Sequence, residues 1–375
     1  MAPEGILGPA EILGPAERRR FGCRTGAFYG GGSKAASRRI MGSLMDTSDD
    51  SRKIERARSS RLLRAVIGLG NAYRRVLAVV LALVGPRVAY CITGRLSRML
   101  YRSLEPVRAR SEAQCRAALD GQVADDETPR IAEAAFTNRI WNLTDLMLAD
   151  RFLHRNTCHR YGGRIPEPYL GTLLKAQESR HPVILVTAYY GPFDLLPIFL
   201  GCNGIRAGVI YRPHPNASFD AYRRRIRGRG GCELVPLERA GGRVAQILEQ
   251  GGTVAIVADH HAERRGLPVT FLGLPTMALR SVGLLAQHYR AAVAVAGIRR
   301  VGQVFRFEIL VSGILQPSDW ASADDPVAYI TAYYLSALER IILGDPTQYL
   351  WSYARWGEEV ARRLGEEEKP VRSGG

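Results

Sequence analysis

Apolar and polar positions between residues 183 and 315 follow two alternating periods. Short apolar runs of strand type at 183–187, 207–211, 233–237, 253–258, 292–299 and 305–315 are separated by segments with helical spacing at 194–200, 219–227, 243–250 and 278–289. A longer amphipathic segment, 326–343, follows the last strand, with Val327, Ile330, Tyr334, Leu338, Ile341 and Ile342 on its apolar face. This alternation predicts an α/β domain built on a mainly parallel or mixed sheet flanked by helices, with late strands that can run antiparallel. Upstream, residues 111–180 read as amphipathic helices, marked by Ile131, Ala134, Ala135, Trp141, Leu146 and Met147 and broken at Pro166 and Pro168. Their expected role is to pack against the sheet.

The pattern fades toward the N-terminus. Residues 1–60 carry a tandem repeat, Ile6 to Glu11 and again Ile12 to Glu17, then three glycines at Gly30 to Gly32 and a Ser/Arg-rich stretch. Such composition buries too little apolar surface to offset the entropy of ordering, so a disordered extension is expected. Residues 61–110 hold two apolar runs, 76–86 and 88–94, separated by Arg87 and followed by Arg95, Arg98 and Arg102. Each run is shorter than the roughly 20 residues of a spanning helix, and joining them would place Arg87 in mid-span. A membrane-associated interfacial helix is the expectation, with an ordinary buried capping helix as its alternative. The α/β domain then occupies 111–357, and a polar tail 358–375.

Charge narrows the partners. Lys plus Arg number 52 against 36 Asp plus Glu, a formal net charge of +16. A basic surface suits anionic headgroups, acidic small molecules or nucleic acid, but no nucleic-acid reader motif is present and no nucleic-acid partner is expected. The six cysteines form no C-x-x-C pair. That spacing argues against a zinc site or a dense disulfide framework and fits a reduced, cytosol-facing compartment.

Candidate chemistry begins where the first strand stops. The run 183–187 gives way to Ala188, Tyr189, Tyr190, Gly191 and Pro192, and a helical pattern carrying Asp194 in its first turn follows. A strand end that hands polar groups to a helix N-terminus is a common site geometry in α/β enzymes. Three further blocks accompany VTAYYGPFDLL (186–196): YRPHPNASFDAYRRRIRGRG (211–230), ADHHAERRGLPVTFLGLP (258–275) and DPTQYLWSYARW (345–356). In this order and spacing, over about 65–357, the chain resembles the lysophospholipid acyltransferase superfamily, and within it the lipid A late acyltransferases (lauroyl and myristoyl transferases).

The resemblance implies transfer of a fatty acyl chain from an acyl carrier protein or coenzyme A thioester to a hydroxyl of a lipid A-like glycolipid or a lysophospholipid. It implies no cofactor and no metal, and a place at the cytoplasmic face of the inner membrane, peripheral or held by one anchor. In that family the first block reads His-x-x-x-x-Asp/Glu, the histidine acting as general base and the acid orienting it. Here Asp194 holds the acid position, Gly191 the glycine, and Tyr189 the place of the histidine. Tyrosine, with an ordinary pKa near 10, is a poor substitute base at neutral pH. Three outcomes stay open: a weak enzyme, an enzyme whose base has moved, or a lipid-binding or regulatory relative without turnover. The second block implies anionic-substrate contacts from Arg212, Arg227 and Arg229. The third implies a site role for Asp259, with His260 or His261 as the relocated base. The fourth, with Tyr349, Trp351 and Trp356, reads as packing for the end of the sheet.

Overall fold

The computed structural model describes residues 76–357 except 78, 155 and 263–265; the expected extension 1–60 and tail 358–375 lie outside the described residues. Six strands form the central sheet: β1 (Val183–Thr187), β2 (Ala207–Tyr211), β3 (Glu233–Pro236), β4 (Thr253–Val257), and, beyond a hairpin described below, β7 (Ala292–Arg300) and β8 (Phe307–Leu315). Their order is β3-β2-β4-β1-β7-β8, parallel throughout except for β8, which runs antiparallel to β7. β1 is buried along its whole length, as its unbroken VILVT run requires of a strand covered on both faces.

Helices cover both faces. One face carries α1 (Pro86–Ser103), the C-terminal half of α3 (Thr128–Phe152), α4 (Tyr169–Glu178), α5 (Leu196–Cys202) and α6 (Ala217–Arg227), whose apolar side chains share a core with Leu185, Ala207, Ala255 and Ala294. The opposite face is closed by α2 (Glu105–Ala118), α7 (Ala240–Glu249), α8 (Ser281–Tyr289) and α9 (Pro326–Gly344), packed on Ile184, Val186, Val254, Ile256 and Val293. The result is a three-layer α/β/α fold.

Two local departures from the sequence pattern have physical reasons. Residues 267–278 form a two-stranded hairpin, β5 (Leu267–Phe271) with β6 (Leu274–Ala278), where the pattern had shown a loop and the start of a helix; that helix begins at Ser281. Pro268 and Pro275 argue against a central strand, but both lie outside the main sheet, where a missing N–H is tolerated. The turn takes positive φ at Leu272 (49°) and Gly273 (74°), the pairing a tight two-residue hairpin favours. The second departure is at the N-terminal apolar segment. Residues 79–84 are helical, Gly85 turns with φ 83°, and Pro86 opens α1, so the two runs are separate helices. Among the described residues no helix is long and apolar enough to cross a membrane.

Cys158 and Cys202 are disulfide-bonded, while Cys91, Cys115 and Cys232 are thiols outside any disulfide. The cysteine spacing had argued against a dense disulfide framework and for a reduced compartment; Cys158 and Cys202, 44 positions apart, meet only through the tertiary fold, which spacing does not show.

A buried polar network ties α1, α3 and β7 together. The Arg300 guanidinium pairs with Asp145 (Nε to Oδ2, 3.0 Å) and donates to Asn138 Oδ1 (2.6 Å) and Asn142 Oδ1 (2.7 Å). The Tyr90 hydroxyl donates to Asp145, and Arg300 lies over the rings of Tyr90 and Trp141. Asn142 Nδ2 in turn donates to the Gly191 carbonyl (2.6 Å), which connects this network to the loop after β1.

Candidate active site

The C-terminal ends of β1, β2 and β4 open onto a cavity of about 680 Å³. Its inner wall is apolar, formed by Leu196, Pro197 and Leu200 of α5 with Val209 of β2 and Ala255 of β4. Its mouth is marked by the exposed Arg212 and Tyr353, and its polar lining is completed by Tyr189, His214, Arg223, His260, His261 and the buried Asp194 and Arg227. A parallel sheet places such a crevice at the carboxyl ends of its strands because loops, not helices, cover that edge.

Tyr189 follows β1 after one alanine. Its backbone N–H donates to Asp259 Oδ2 (3.1 Å), and its ring is met edge-on by Phe193 and His260, each at 4.9 Å between centroids. The hydroxyl lies 3.2 Å from His260 Nε2. Burial, then the Asp259 carboxylate, raises the Tyr189 hydroxyl above the usual phenol range, so it is protonated at neutral pH. His260 Nδ1 is 3.2 Å from the Val257 carbonyl oxygen. Its ring lines the cavity but lies deep in the mouth, and this loss of hydration pushes its pKa down to about 4. His261 turns instead toward β6, with Nδ1 3.0 Å from Thr276 Oγ1 and Gly357 packed against its ring.

Asp259 is the hub beneath this pair. Its Oδ2 accepts from Tyr189 N–H and from the Tyr349 hydroxyl (3.2 Å), and it forms a fully buried ion pair with Arg355 (3.1 Å). Arg355 also donates to the Asp259 carbonyl, and its guanidinium sits 5.5 Å from the Tyr189 ring, 5.3 Å from Tyr349 and 4.6 Å from Tyr353. The fourth block therefore does more than pack the sheet: Tyr353 lines the cavity, and Tyr349 and Arg355 hold the residue under Tyr189. Arg355 and Tyr353 had no signal in the sequence beyond lying in that block.

Asp194 is held by arginines, while the Tyr189 hydroxyl bonds His260. The Asp194 carboxylate accepts from Arg223 (3.1 and 3.3 Å) and pairs with Arg227. Both arginines come from α6, whose Asn216 cap accepts from the Phe219 N–H (3.1 Å) and fixes the start of the helix. Burial lowers the Arg227 pKa to about 10, and the guanidinium stays charged beside Asp194. Arg212, by contrast, is exposed at the mouth and makes no hydrogen bond or ion pair among the described residues. Of the described arginines that line the cavity it alone is exposed.

Two expected contacts lie elsewhere. Arg229 pairs with Asp150 and donates to the Ala149 carbonyl (3.0 Å), binding the end of α3 rather than lining the cavity. Gly191 also stays out of the cavity. Its φ is 53°, its N–H donates to the Gln348 carbonyl (2.9 Å), and a Cβ there would collide with the Ile298 carbonyl oxygen of β7. The glycine is required by close packing of the loop on the sheet. Arg223 takes the place in the mouth that Arg229 does not. Among the described residues no cluster of His, Cys, Asp and Glu has the makings of a metal site.

No curated protein matches the chain. Residues 56–358, which include the whole cavity and every block that forms it, match the family model described as bacterial lipid A biosynthesis acyltransferase. The chain belongs to the bacterial lipid A biosynthesis acyltransferase family.

Proposed function

We propose that the protein moves a fatty acyl chain from a thioester donor, acyl carrier protein or coenzyme A, to a hydroxyl of a lipid A-like glycolipid or a lysophospholipid presented at the cytoplasmic face of the inner membrane. The observation that carries this reading is the cavity itself, which joins an apolar inner wall to a basic, hydrogen-bonding mouth. Leu196, Leu200, Val209 and Ala255 offer an acyl chain a surface away from water. Arg212 at the mouth suits a phosphate, whether of the donor's carrier arm or of the acceptor headgroup. Arg223 and Arg227, neutralised in part by Asp194, set the local charge and fix the wall on which the acceptor is oriented.

A surface reached across α6 supports a membrane setting: Val79 and Leu83 share a groove with Tyr222 and Arg225 of that helix, whose Arg223 and Arg227 line the cavity. Val76, Val79, Leu83, Val88, Ile92, Leu96 and Met99 project from residues 76–84 and α1 and are 45–78% exposed, while Ala89, Tyr90 and Tyr101 on the other side of α1 are buried. An apolar stripe of this extent among arginines fits an interfacial helix pair lying on anionic lipid.

The test is transfer of a labelled acyl chain by the purified full chain, with each donor class in turn, to vesicles containing lipid A precursors or lysolipids. The ester product is expected from the wild type. Asp194→Ala leaves Arg223 and Arg227 unpaired and is expected to lower turnover by at least about tenfold, since removing one partner of a buried pair costs about 3–5 kcal/mol of local order. Unchanged turnover in that variant would place the chemistry elsewhere. The tyrosine at 189 favours a second reading, a lipid-binding relative without turnover, which the same assay identifies as retained lipid with no product.

A further inference from the structure

The Tyr189–His260 contact has a direction. A backbone carbonyl only accepts hydrogen bonds, so the Val257 oxygen 3.2 Å from His260 Nδ1 assigns the imidazole proton to Nδ1. Nε2 is then a bare lone pair, and the Tyr189 hydroxyl 3.2 Å away is the donor to it. This is the arrangement of a nucleophile-side hydroxyl on a general base, reached from β4 rather than from the end of β1.

We propose that His260 is the general base for acyl transfer and that the Tyr189 hydroxyl relays the proton to it. This rests on the acyl-transfer reading above. The acceptor hydroxyl gives its proton to Tyr189 Oη while the Tyr189 proton passes to His260 Nε2. The acceptor oxygen bonds to the thioester carbonyl carbon. The tetrahedral intermediate collapses with cleavage of the C–S bond, and the departing sulfur takes the proton back from His260 through Tyr189. Ester and thiol are the products, both residues return to their starting states, and no oxidant or reductant is needed.

Three features of the site serve the relay. Asp259 fixes the Tyr189 backbone through its N–H, which holds the ring at the cavity. Phe193 and Tyr353 bracket the ring and limit its rotation. The Arg355 guanidinium, 5.5 Å from the ring centroid, opposes the negative charge that grows on the phenol oxygen during transfer. Arg355 is thus a positioning residue, whereas Tyr189 and His260 touch the reacting proton. His261, engaged with Thr276 on β6, has no place in the relay.

The test is an epistasis experiment on the full chain with the labelled-acyl assay. In the wild-type background His260→Ala and His260→Gln are expected to lower kcat by roughly 10²- to 10⁴-fold, the usual worth of a general base, with little change in KM for the donor. Tyr189→Phe, which keeps the ring but not the hydroxyl, is expected to lose a similar factor. Tyr189→His puts a base at the mouth directly, so adding His260→Ala to it is expected to change kcat by less than about tenfold. A purely structural His260 would harm both backgrounds alike, and that result overturns the proposal, as does wild-type turnover in His260→Ala. Absence of product from the wild type with every donor removes the acyl-transfer reading itself, whereas product that survives His260→Ala removes only the base assignment.

Discussion

At the scale of single residues, protonation of His260 sets the pH behaviour. Facing it are Asp259, which favours its charged form, and Arg355 and Arg212, which together with burial oppose it. Its folded pKa, near 4, lies below the ordinary histidine value near 6.5. The neutral, proton-accepting form therefore persists well below pH 6.5, and kcat is expected to hold through pH 6 and fall only as pH approaches 4. A pH–rate profile checks this; an acid limb centred near 6.5 would mean a hydrated imidazole. The same shift affects folding with a definite sign. Between about pH 6.5 and 4 the unfolded chain binds the proton that the folded chain refuses, so this group subtracts stability as pH falls through that window and subtracts nothing above it.

Arg212 gives a second prediction at this scale. As an exposed cation that makes no hydrogen bond or ion pair among the described residues, it is expected to act on binding rather than on folding. Arg212→Ala should raise KM for the phosphate-bearing substrate about three- to tenfold and leave the melting temperature within a degree or two, because an exposed charge contributes little to stability. The substrate KM of the wild type should rise with salt, and that dependence should be weaker in the variant.

At the scale of elements, the Arg300–Asp145 pair is the point where α1, α3 and β7 depend on one another. Both side chains are essentially inaccessible to solvent. Asp145→Ala leaves the Arg300 charge buried without its carboxylate and is expected to destabilise the fold by about 3–5 kcal/mol, measured by denaturant unfolding. Because Asn142 joins this network to the Gly191 carbonyl, the loop carrying Tyr189 should loosen first. Faster hydrogen exchange at residues 188–193 than elsewhere in the domain would report that order.

The elements are also where sequence reading succeeds and fails for identifiable reasons. β1 and β2 carry uninterrupted apolar runs, and their observed bounds are the expected ones. The β5–β6 hairpin has strands of the same length but contains two prolines and is only half-buried, so its alternation is weak against the helical pattern that follows. Within the site, Tyr189, Asp194, Asp259 and His260 stand at strand ends or first turns, where local pattern reveals them. Arg355 is 96 positions from the carbonyl it holds, and no local signal links the two. The opposite outcomes of Arg227 and Arg229 follow from geometry: two residues apart at the end of α6, they point to Asp194 and to Asp150.

At the scale of the whole molecule, charge and apolar exposure coincide. The chain carries a formal +16, and its exposed apolar stripe runs along residues 76–99. A surface that lies on anionic lipid would bring the cavity close to a membrane-borne acceptor. Burying one leucine- or isoleucine-sized side chain is worth about 1.5–3 kcal/mol, so Leu83→Glu and Ile92→Glu are each expected to weaken binding to anionic vesicles by about tenfold or more. Vesicle cosedimentation checks this, and binding to uncharged vesicles should be weaker for the wild type as well.

Membership in the family, the cavity and the Tyr189–His260 contact meet in one claim, that this protein transfers an acyl chain with its base moved to His260. The most direct measurement is the rate of labelled acyl transfer from a carrier-protein or coenzyme A thioester to acceptor-containing vesicles, for the wild type beside His260→Ala. The account predicts ester product from the wild type and a rate lower by roughly 10²- to 10⁴-fold in the variant. No product from the wild type with either donor, or equal rates from both proteins, would contradict it.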